Sequence, residues 1–136
     1  MNDPRRIRVL VADDEPHIRK LVVAIVRVLG GEVVAEAGDG EEAAALFRKL
    51  RPDAAILDIN MPKLHGDEVL ARIMAVDPQA VVVMMTAQDA IDSVQDCLDH
   101  GASHYILKSN RAEEIYALLS EIWPDCQARA MNKEAA

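Results

Sequence analysis

Acidic, hydroxyl and ammonium side chains follow short apolar segments at several places along the chain. The segment IRVLVA leads into an acidic turn, and AAIL leads into an aspartate followed two residues later by an asparagine. Two further segments, AVVVMM and HYIL, lead into a threonine and a lysine. If these segments are parallel strands of one sheet, the side chains that follow them meet beyond one edge of it. The residues concerned are Asp13, Asp14, Glu15, Asp58, Asn60, Thr86 and Lys108.

The chemistry of this set suits a divalent cation and a phosphoryl group. Carboxylates without histidine or cysteine favour a hard cation, and Mg²⁺ fits such an oxygen-rich set best. A hydroxyl and an ammonium group opposite the cation are the donors that the oxygens of a phosphoryl group need. A carboxylate beside the metal can attack phosphorus and form an acyl phosphate. Because the third strand lies near the centre of the order, Asp58 is the natural nucleophile.

Each of these residues also fits an ordinary structural role when it is taken alone. Asp13 or Asp14 can cap the first helix, and Asp58 can open an Asx turn at its strand end. Thr86 can cap the helix that follows it, and Lys108 can be a solvated strand end. These separate roles do not explain why such residue types are sorted onto one edge, so the set as a whole favours a functional site.

Strand-like apolar segments alternate with helix-period segments five times along the chain. This pattern predicts an α/β sandwich around a mostly parallel sheet, and the continuous apolar strands fit a sheet covered on both faces. The fourth helix is predicted over Asp89 to His100, and the fifth over Arg111 to Trp123 with a stop at Pro124. We predict one domain over residues 1–124, with residues 125–136 as a frayed or loosely helical tail or the beginning of a linker.

Composition narrows the possible partners and the compartment. The net charge of −8 over 136 residues argues against direct binding of nucleic acid, whose phosphates attract Lys and Arg. The two cysteines have no metal-ligand or redox spacing, which predicts free thiols in a reducing compartment. No apolar run approaches the length that spans a bilayer. We therefore expect a cytoplasmic protein that binds neither membrane nor nucleic acid.

Four stretches of the sequence carry a resemblance to a known family: VLVADDEPHIRK, AAILDINMPKLHGDEVL, VVVMMTAQ and GASHYILK. In order and spacing they resemble the receiver domains of two-component response regulators, especially the single-domain, chemotaxis-type members. The resemblance extends from about Ile7 to Trp123. It implies a doubly wound, flavodoxin-like fold with five parallel strands in the order 2-1-3-4-5 and five helices.

The resemblance implies roles for the acidic side of the site. Asp58 resembles the phosphoacceptor of the family. Asp13 and Asp14 resemble the acid pair that holds Mg²⁺, with Asp14 as the more direct ligand. Asn60 resembles the residue that lends its backbone carbonyl to the metal, and Gly66 matches the loop after the phosphoacceptor.

The resemblance also implies roles for residues on the opposite side. Thr86 resembles the switch hydroxyl that moves onto the phosphoryl group, and Tyr105 resembles the aromatic residue whose rotamer follows it. Ala87 would donate a backbone N–H to the phosphoryl group, and Lys108 would pair with one of its oxygens. Gln88 occupies a position where side chains can tune hydrolysis of the acyl phosphate.

One position departs from the family pattern. The family usually has proline after the lysine, often joined by a cis bond, and here Ser109 follows Lys108. A cis bond before a residue other than proline costs about 2.5–4 kcal/mol, against roughly 0.5–1 kcal/mol before proline. We therefore predict a trans Lys108–Ser109 bond and a displaced loop leading into the fifth helix.

These observations favour a signalling module that is switched by phosphorylation and is not a metabolic enzyme. A sensor histidine kinase or a histidine phosphotransfer protein would supply the phosphoryl group to Asp58 in the presence of Mg²⁺. The domain would catalyse only its own phosphorylation and dephosphorylation. The surface of the fourth helix, fifth strand and fifth helix would then change and control an output protein.

Two other functions stay open at this point. The first is a receiver-like scaffold that is not phosphorylated, although the complete set of site residues argues against it. The second is an Mg²⁺-dependent phosphatase with an aspartyl-phosphate intermediate. Phosphatases of the haloacid dehalogenase type carry an acid two residues after the nucleophile, whereas this chain has Asn60 there, which is a poor proton donor and acceptor.

Overall fold

A five-stranded parallel sheet forms the centre of the protein, with its strands in the order β2-β1-β3-β4-β5. The computed structural model describes residues 6–87 and 91–135. The strands are β1 Arg8–Ala12, β2 Glu32–Ala37, β3 Ala54–Asp58, β4 Val81–Thr86 and β5 His104–Leu107. The helices are α1 Pro16–Val28, α2 Gly40–Leu50, α3 Gly66–Val76, α4 Ile91–Asp99 and α5 Ala112–Ala135. The predicted fold class, strand order and five helices are confirmed.

Two hydrophobic layers cover the two faces of the sheet. Successive side chains of a strand point to opposite faces, so alternate residues of one strand enter different layers. In β4, Val83 and Met85 enter the layer that contains α1 and α5, while Val82 and Met84 enter the layer that contains α2 and α3. All residues of β3 and β4 are buried, which agrees with their continuous apolar sequences. The central strands are therefore covered by hydrophobic side chains on both faces.

The two cysteines are free, as predicted, and both are buried. Cys97 lies on α4 and Cys126 on α5. Burial is the main cause that raises the pKa of Cys97 to about 11 and the pKa of Cys126 to about 12. Both thiols are therefore protonated and unreactive at neutral pH.

The end of the fifth helix differs from its prediction. Pro124 was expected to end α5 near Trp123, but α5 continues through Pro124 to Ala135. Cys126 and Ala130, four residues apart, are buried in the same layer as the preceding part of the helix. A proline inside a helix costs about 3 kcal/mol, so the packing of these residues outweighs the missing backbone hydrogen bond. That residues beyond 124 begin a linker stays a prediction.

The beginning of the fourth helix cannot be compared with its prediction within the described residues, and membrane-spanning helices are absent from them. The predicted fourth helix began at Asp89, which lies outside the described residues, as does Gln88; within them α4 spans Ile91–Asp99. Across the part of the chain that the structure describes, no helix is both long and apolar enough to cross a bilayer.

Candidate phosphoryl and metal site

Asp13 is fixed immediately beyond the end of β1. Its backbone N–H donates to the Ala37 carbonyl oxygen at 3.0 Å, which extends the pairing of β1 with β2 by one residue. Its carboxylate Oδ1 accepts the backbone N–H of Glu15 at 2.9 Å, and its carbonyl oxygen accepts Arg19 Nη1 at 2.7 Å. Only 2% of Asp13 is exposed. The acid is therefore held by contacts to its backbone and to its side chain.

Asp58 is the last residue of β3 and is 3% exposed. Its Oδ1 accepts the backbone N–H of Asn60 at 3.1 Å, which is the Asx-turn arrangement that the sequence allowed. The following loop returns close to this strand end, and the Gly66 N–H donates to the Ile59 carbonyl oxygen at 2.8 Å. A Cβ on Gly66 would lie 2.4 Å from the Asp58 carbonyl oxygen, so the loop requires glycine there.

Lys108 directly follows the carboxyl end of β5. Its side chain contacts acidic residues at the carboxyl ends of β1 and β3. Its backbone N–H donates to the Thr86 carbonyl oxygen at 2.8 Å. Its Nζ donates to Asp13 Oδ1 and to Asp58 Oδ2, each at 3.2 Å, and to Glu15 Oε1. The Lys108 side chain is 12% exposed. One ammonium group therefore contacts three carboxylates from two segments of the chain.

The site has more negative charge than Lys108 alone compensates. Burial and the neighbouring Asp13 raise the pKa of Asp58 to about 7, against the opposing effect of Lys108. Burial acts to lower the pKa of Lys108, but its bonds to the surrounding acids outweigh this and raise that pKa above its ordinary value. The hydrogen bond from Lys108 lowers the pKa of Glu15. The lysine is thus charged at any physiological pH, whereas burial and the charge of Asp13 oppose the ionisation of Asp58.

The acidic residues fit a divalent cation. Ligand oxygens of Asp13, Asp14, Glu15 and Asp58 all lie within 4.8 Å of one another. Asp13 Oδ2 is buried and accepts no hydrogen bond from the residues that the structure describes. It lies 3.1 Å from Lys108 Nζ, but that contact is an ion pair without hydrogen-bond geometry. A buried oxygen with no donor in a set of oxygen ligands is suited to Mg²⁺.

Some of the predicted residues line the cavity of the site, but not all of them do. Asn60, Ala87, Lys108 and Ser109 line the same cavity as Asp58. Thr86 is fully buried, and its hydroxyl donates to the Ala87 carbonyl oxygen at 2.9 Å instead of facing the cavity. The structure therefore gathers the predicted acids with Ala87 and Lys108, and directs the Thr86 hydroxyl elsewhere.

Tyr105 lies outside the site on β5 and is 45% exposed.

The peptide bond between Lys108 and Ser109 is trans, which confirms the prediction made from the sequence. The predicted displacement of the loop into α5 stays a prediction.

Sequence reasoning gave no individual role to Glu15 or Arg19, which both contact the site. Glu15 follows the acid pair directly and pairs with Lys108, although it was noted only as part of the acidic turn. Arg19 lies one helical turn further along α1, where it donates to the Asp13 carbonyl and pairs with Glu36 at 3.3 Å. The spacing of Arg19 from the end of β1 is a signal that could have been noticed, because the first turn of α1 faces the adjacent strand ends.

Comparisons with known proteins agree with this geometry. The family model for the response regulator receiver domain matches residues 9–120. The chemotaxis protein CheY of Listeria monocytogenes is 37% identical over 115 residues, which are 85% of this chain and 97% of that protein.

Solved structures give the same result. The signal receiver domain of the putative response regulator NarL from Mycobacterium tuberculosis has a TM-score of 0.77 and 32% identity, over 92% of this chain and 98% of that one. CheY in the CheX–CheY–BeF3–Mg complex from Borrelia burgdorferi has a TM-score of 0.78 and 31% identity, over 86% and 89% of the two chains.

Proposed function

Because the chain belongs to the response regulator receiver domain family, we propose that it is a signalling switch set by phosphorylation of Asp58. The observation that carries this proposal is the contact of Lys108 Nζ with Asp58 and Asp13, next to a buried Asp13 oxygen for which the described part of the chain provides no hydrogen-bond donor. This arrangement combines a nucleophile, a fixed positive charge and a cation ligand at the same strand ends. In such a switch the phosphoryl group on Asp58 serves as a signal.

In the proposed reaction, an Asp58 carboxylate oxygen attacks the phosphorus of a phosphohistidine on a partner. The new phosphorus–oxygen bond forms as the phosphorus–nitrogen bond breaks, and the electron pair leaves with the imidazole nitrogen. Lys108 pairs with a phosphoryl oxygen, and the backbone N–H of Ala87 donates to another. The Asp13 and Asp14 carboxylates, with Asp58 and the Asn60 carbonyl, would hold Mg²⁺, which when bound neutralises the negative charge gathered during transfer.

The proposed output depends on Thr86 and Tyr105. Thr86 would give up its hydrogen bond to the Ala87 carbonyl and donate to the phosphoryl group instead. The space that it vacates would let the exposed Tyr105 ring turn inward. These two changes alter the surface formed by α4, β5 and α5, which then binds an output protein differently.

The proposed partners are of two kinds. A sensor histidine kinase or a histidine phosphotransfer protein supplies the phosphoryl group, and an output protein reads the switched surface. The Borrelia relative was crystallised with CheX, BeF3 and Mg, which supports a role in which a protein partner and the cation both take part. Slow hydrolysis of the acyl phosphate resets the switch.

The test is incubation with acetyl phosphate, with and without Mg²⁺, followed by intact-mass measurement. We expect an adduct of one phosphoryl group that requires Mg²⁺ and is absent from Asp58→Asn. If the native chain forms no adduct with Mg²⁺ and none without it, an unphosphorylated scaffold would be favoured. Continuous turnover of unrelated phosphate esters would instead favour a phosphatase.

A further inference from the structure

Glu15 occupies the N-cap position of α1 but does not act as a cap. The usual N-cap side chains accept a hydrogen bond from the first turn of the helix, and the Glu15 side chain accepts none there. Pro16 follows it at the beginning of the helix, where its missing N–H costs little. The carboxylate of Glu15 is directed to Lys108 instead.

Among the described residues, the Lys108 ammonium group has as many hydrogen-bond acceptors as it has hydrogens. A lysine ammonium group has three N–H donors and no acceptor. The acceptors in hydrogen-bond contact with Lys108 Nζ are Asp13 Oδ1, Asp58 Oδ2 and Glu15 Oε1. A phosphoryl oxygen that approaches Lys108 must therefore replace one of these acceptors.

Of the three acceptors, Glu15 is the one whose separation from Lys108 costs the least free energy. The side chains of Asp13 and Asp58 are 3% and 4% exposed, whereas that of Glu15 is 48% exposed. A released Glu15 carboxylate can be hydrated at once, while a buried carboxylate would lose its partner without gaining water. Asp13 is further held through the Glu15 N–H and Arg19, so it stays in place.

We propose that Glu15 is a gate on the switch: it holds the Lys108 ammonium group before phosphorylation and must release it for transfer to Asp58. This inference rests on the proposed function, because it gives a regulatory role within the same site. During transfer the Asp58 oxygen forms its bond to phosphorus as the bond to the donor breaks, and the electron pair leaves with the donor. Lys108 exchanges Glu15 for a phosphoryl oxygen, while Glu15 turns to solvent. Glu15 is a positioning residue, since it acts through Lys108 and does not touch the reacting atoms.

The test compares rates of adduct formation with acetyl phosphate at saturating Mg²⁺. A partly exposed ion pair contributes about 0.2–1 kcal/mol, so Glu15→Gln is expected to react up to about fivefold faster than the native chain. Glu121→Gln, the same change at an exposed position of α5, is the matched control and is expected to react at the native rate. A Glu15→Gln rate at or below the native rate would overturn the gate.

Two further measurements distinguish the gate from other roles of Glu15. The Glu15→Gln change in a Lys108→Met chain tests whether Glu15 only repels the anionic phosphoryl donor, and the Mg²⁺ requirement tests whether Glu15 is a metal ligand. Because the gate acts through Lys108, Glu15→Gln is expected to give no acceleration in a Lys108→Met chain. Equal acceleration in both backgrounds would mean that Glu15 only repels the anionic donor, and would overturn the inference. A higher Mg²⁺ requirement with an unchanged rate at saturation would mark Glu15 as a metal ligand and would also overturn it. If the native chain forms no Mg²⁺-dependent adduct on Asp58, the proposed function itself has failed, which is a different result.

Discussion

The Asp58 carboxyl group is buried and is surrounded by opposing charges. Burial is the largest cause that raises its pKa, and Asp13 and Asp14 raise it further, while Lys108 and the Asn60 N–H act in the opposite direction. The net result is a pKa of about 7, well above the ordinary value of 3.8. An empty site of this kind is electrostatically strained, and a bound cation relieves the strain.

Asp58→Asn is expected to stabilise the protein at high pH in the absence of Mg²⁺. Because the pKa of Asp58 is raised on folding, its contribution to stability is present in full below pH 3.8 and is lost as pH rises through about 7. Asparagine carries no charge and does not suffer this loss. We expect Asp58→Asn to exceed the native free energy of unfolding by roughly 1–3 kcal/mol at pH 8, and by much less at pH 4.

Urea denaturation at the two pH values measures this difference. Asp96→Asn makes the same chemical change at an exposed position of α4 and serves as the control. A native chain that is as stable as Asp58→Asn at pH 8 would contradict the raised pKa.

The position of a site residue was predictable where it follows directly from the end of one strand. The direction of a side chain was less predictable where several competing contacts determine it. Asp13, Asp58 and Lys108 follow buried strands of a parallel sheet, so their convergence follows from topology. The direction of the Thr86 hydroxyl does not follow from topology, because it depends on a local choice between the Ala87 carbonyl and the cavity. The pairing of Glu15 with Lys108 was missed since it depends on a glutamate at an N-cap that does not cap.

Among the secondary-structure elements, α5 departs most from its sequence prediction. Apolar positions at helical spacing continue across Pro124, from Leu119 and Trp123 to Cys126 and Ala130. Proline was interpreted as a stop because it lacks an N–H, yet the apolar stripe on both sides of it favoured one continuous helix. The strands and the other helices were predictable because composition and period agreed in each of them.

Ion pairs hold the continuation of α5 on the edge of the sheet opposite the site. Arg129 Nη2 contacts both carboxylate oxygens of Asp77, at 2.7 and 2.8 Å, with 15% and 10% of the two side chains exposed. Lys133 Nζ lies 3.6 Å from Asp53 Oδ1 and donates to the Arg51 carbonyl oxygen. Asp53 and Asp77 lie in the connections that precede β3 and β4. The last turns of α5 therefore secure the beginning of the central strands.

Arg129→Met is expected to lower the free energy of unfolding by about 2 kcal/mol, because it leaves the Asp77 carboxylate buried without its cation. Arg111→Met is the matched control, since Arg111 is 82% exposed and lies 3.9 Å from Glu114. The control is expected to lose less than about 1 kcal/mol. Denaturant unfolding of both variants measures the difference, and equal losses would show that the contact with Asp77 does not stabilise α5.

Taken as a whole, the molecule concentrates its proposed chemistry at one edge of the sheet and secures the other edge with α5. The sequence was sufficient to predict the fold class and strand order, because apolar strands, helix periods and the family motifs all agreed. It was not sufficient to predict the length of α5 or the ion pairs of Lys108, because both depend on contacts between residues far apart in the chain. Lys108 reaches Asp13 across 95 positions of sequence.

The most direct test of the proposed switch is to locate the phosphoryl group. After reaction with acetyl phosphate and Mg²⁺, borohydride reduces an aspartyl phosphate to homoserine with loss of phosphate, and peptide mass mapping then identifies the residue. We expect homoserine at position 58 alone, and none when Mg²⁺ is withheld. Homoserine at Asp13 or Asp14, or a phosphoryl group on a residue other than an acid, would contradict the assignment of Asp58 as the phosphoacceptor.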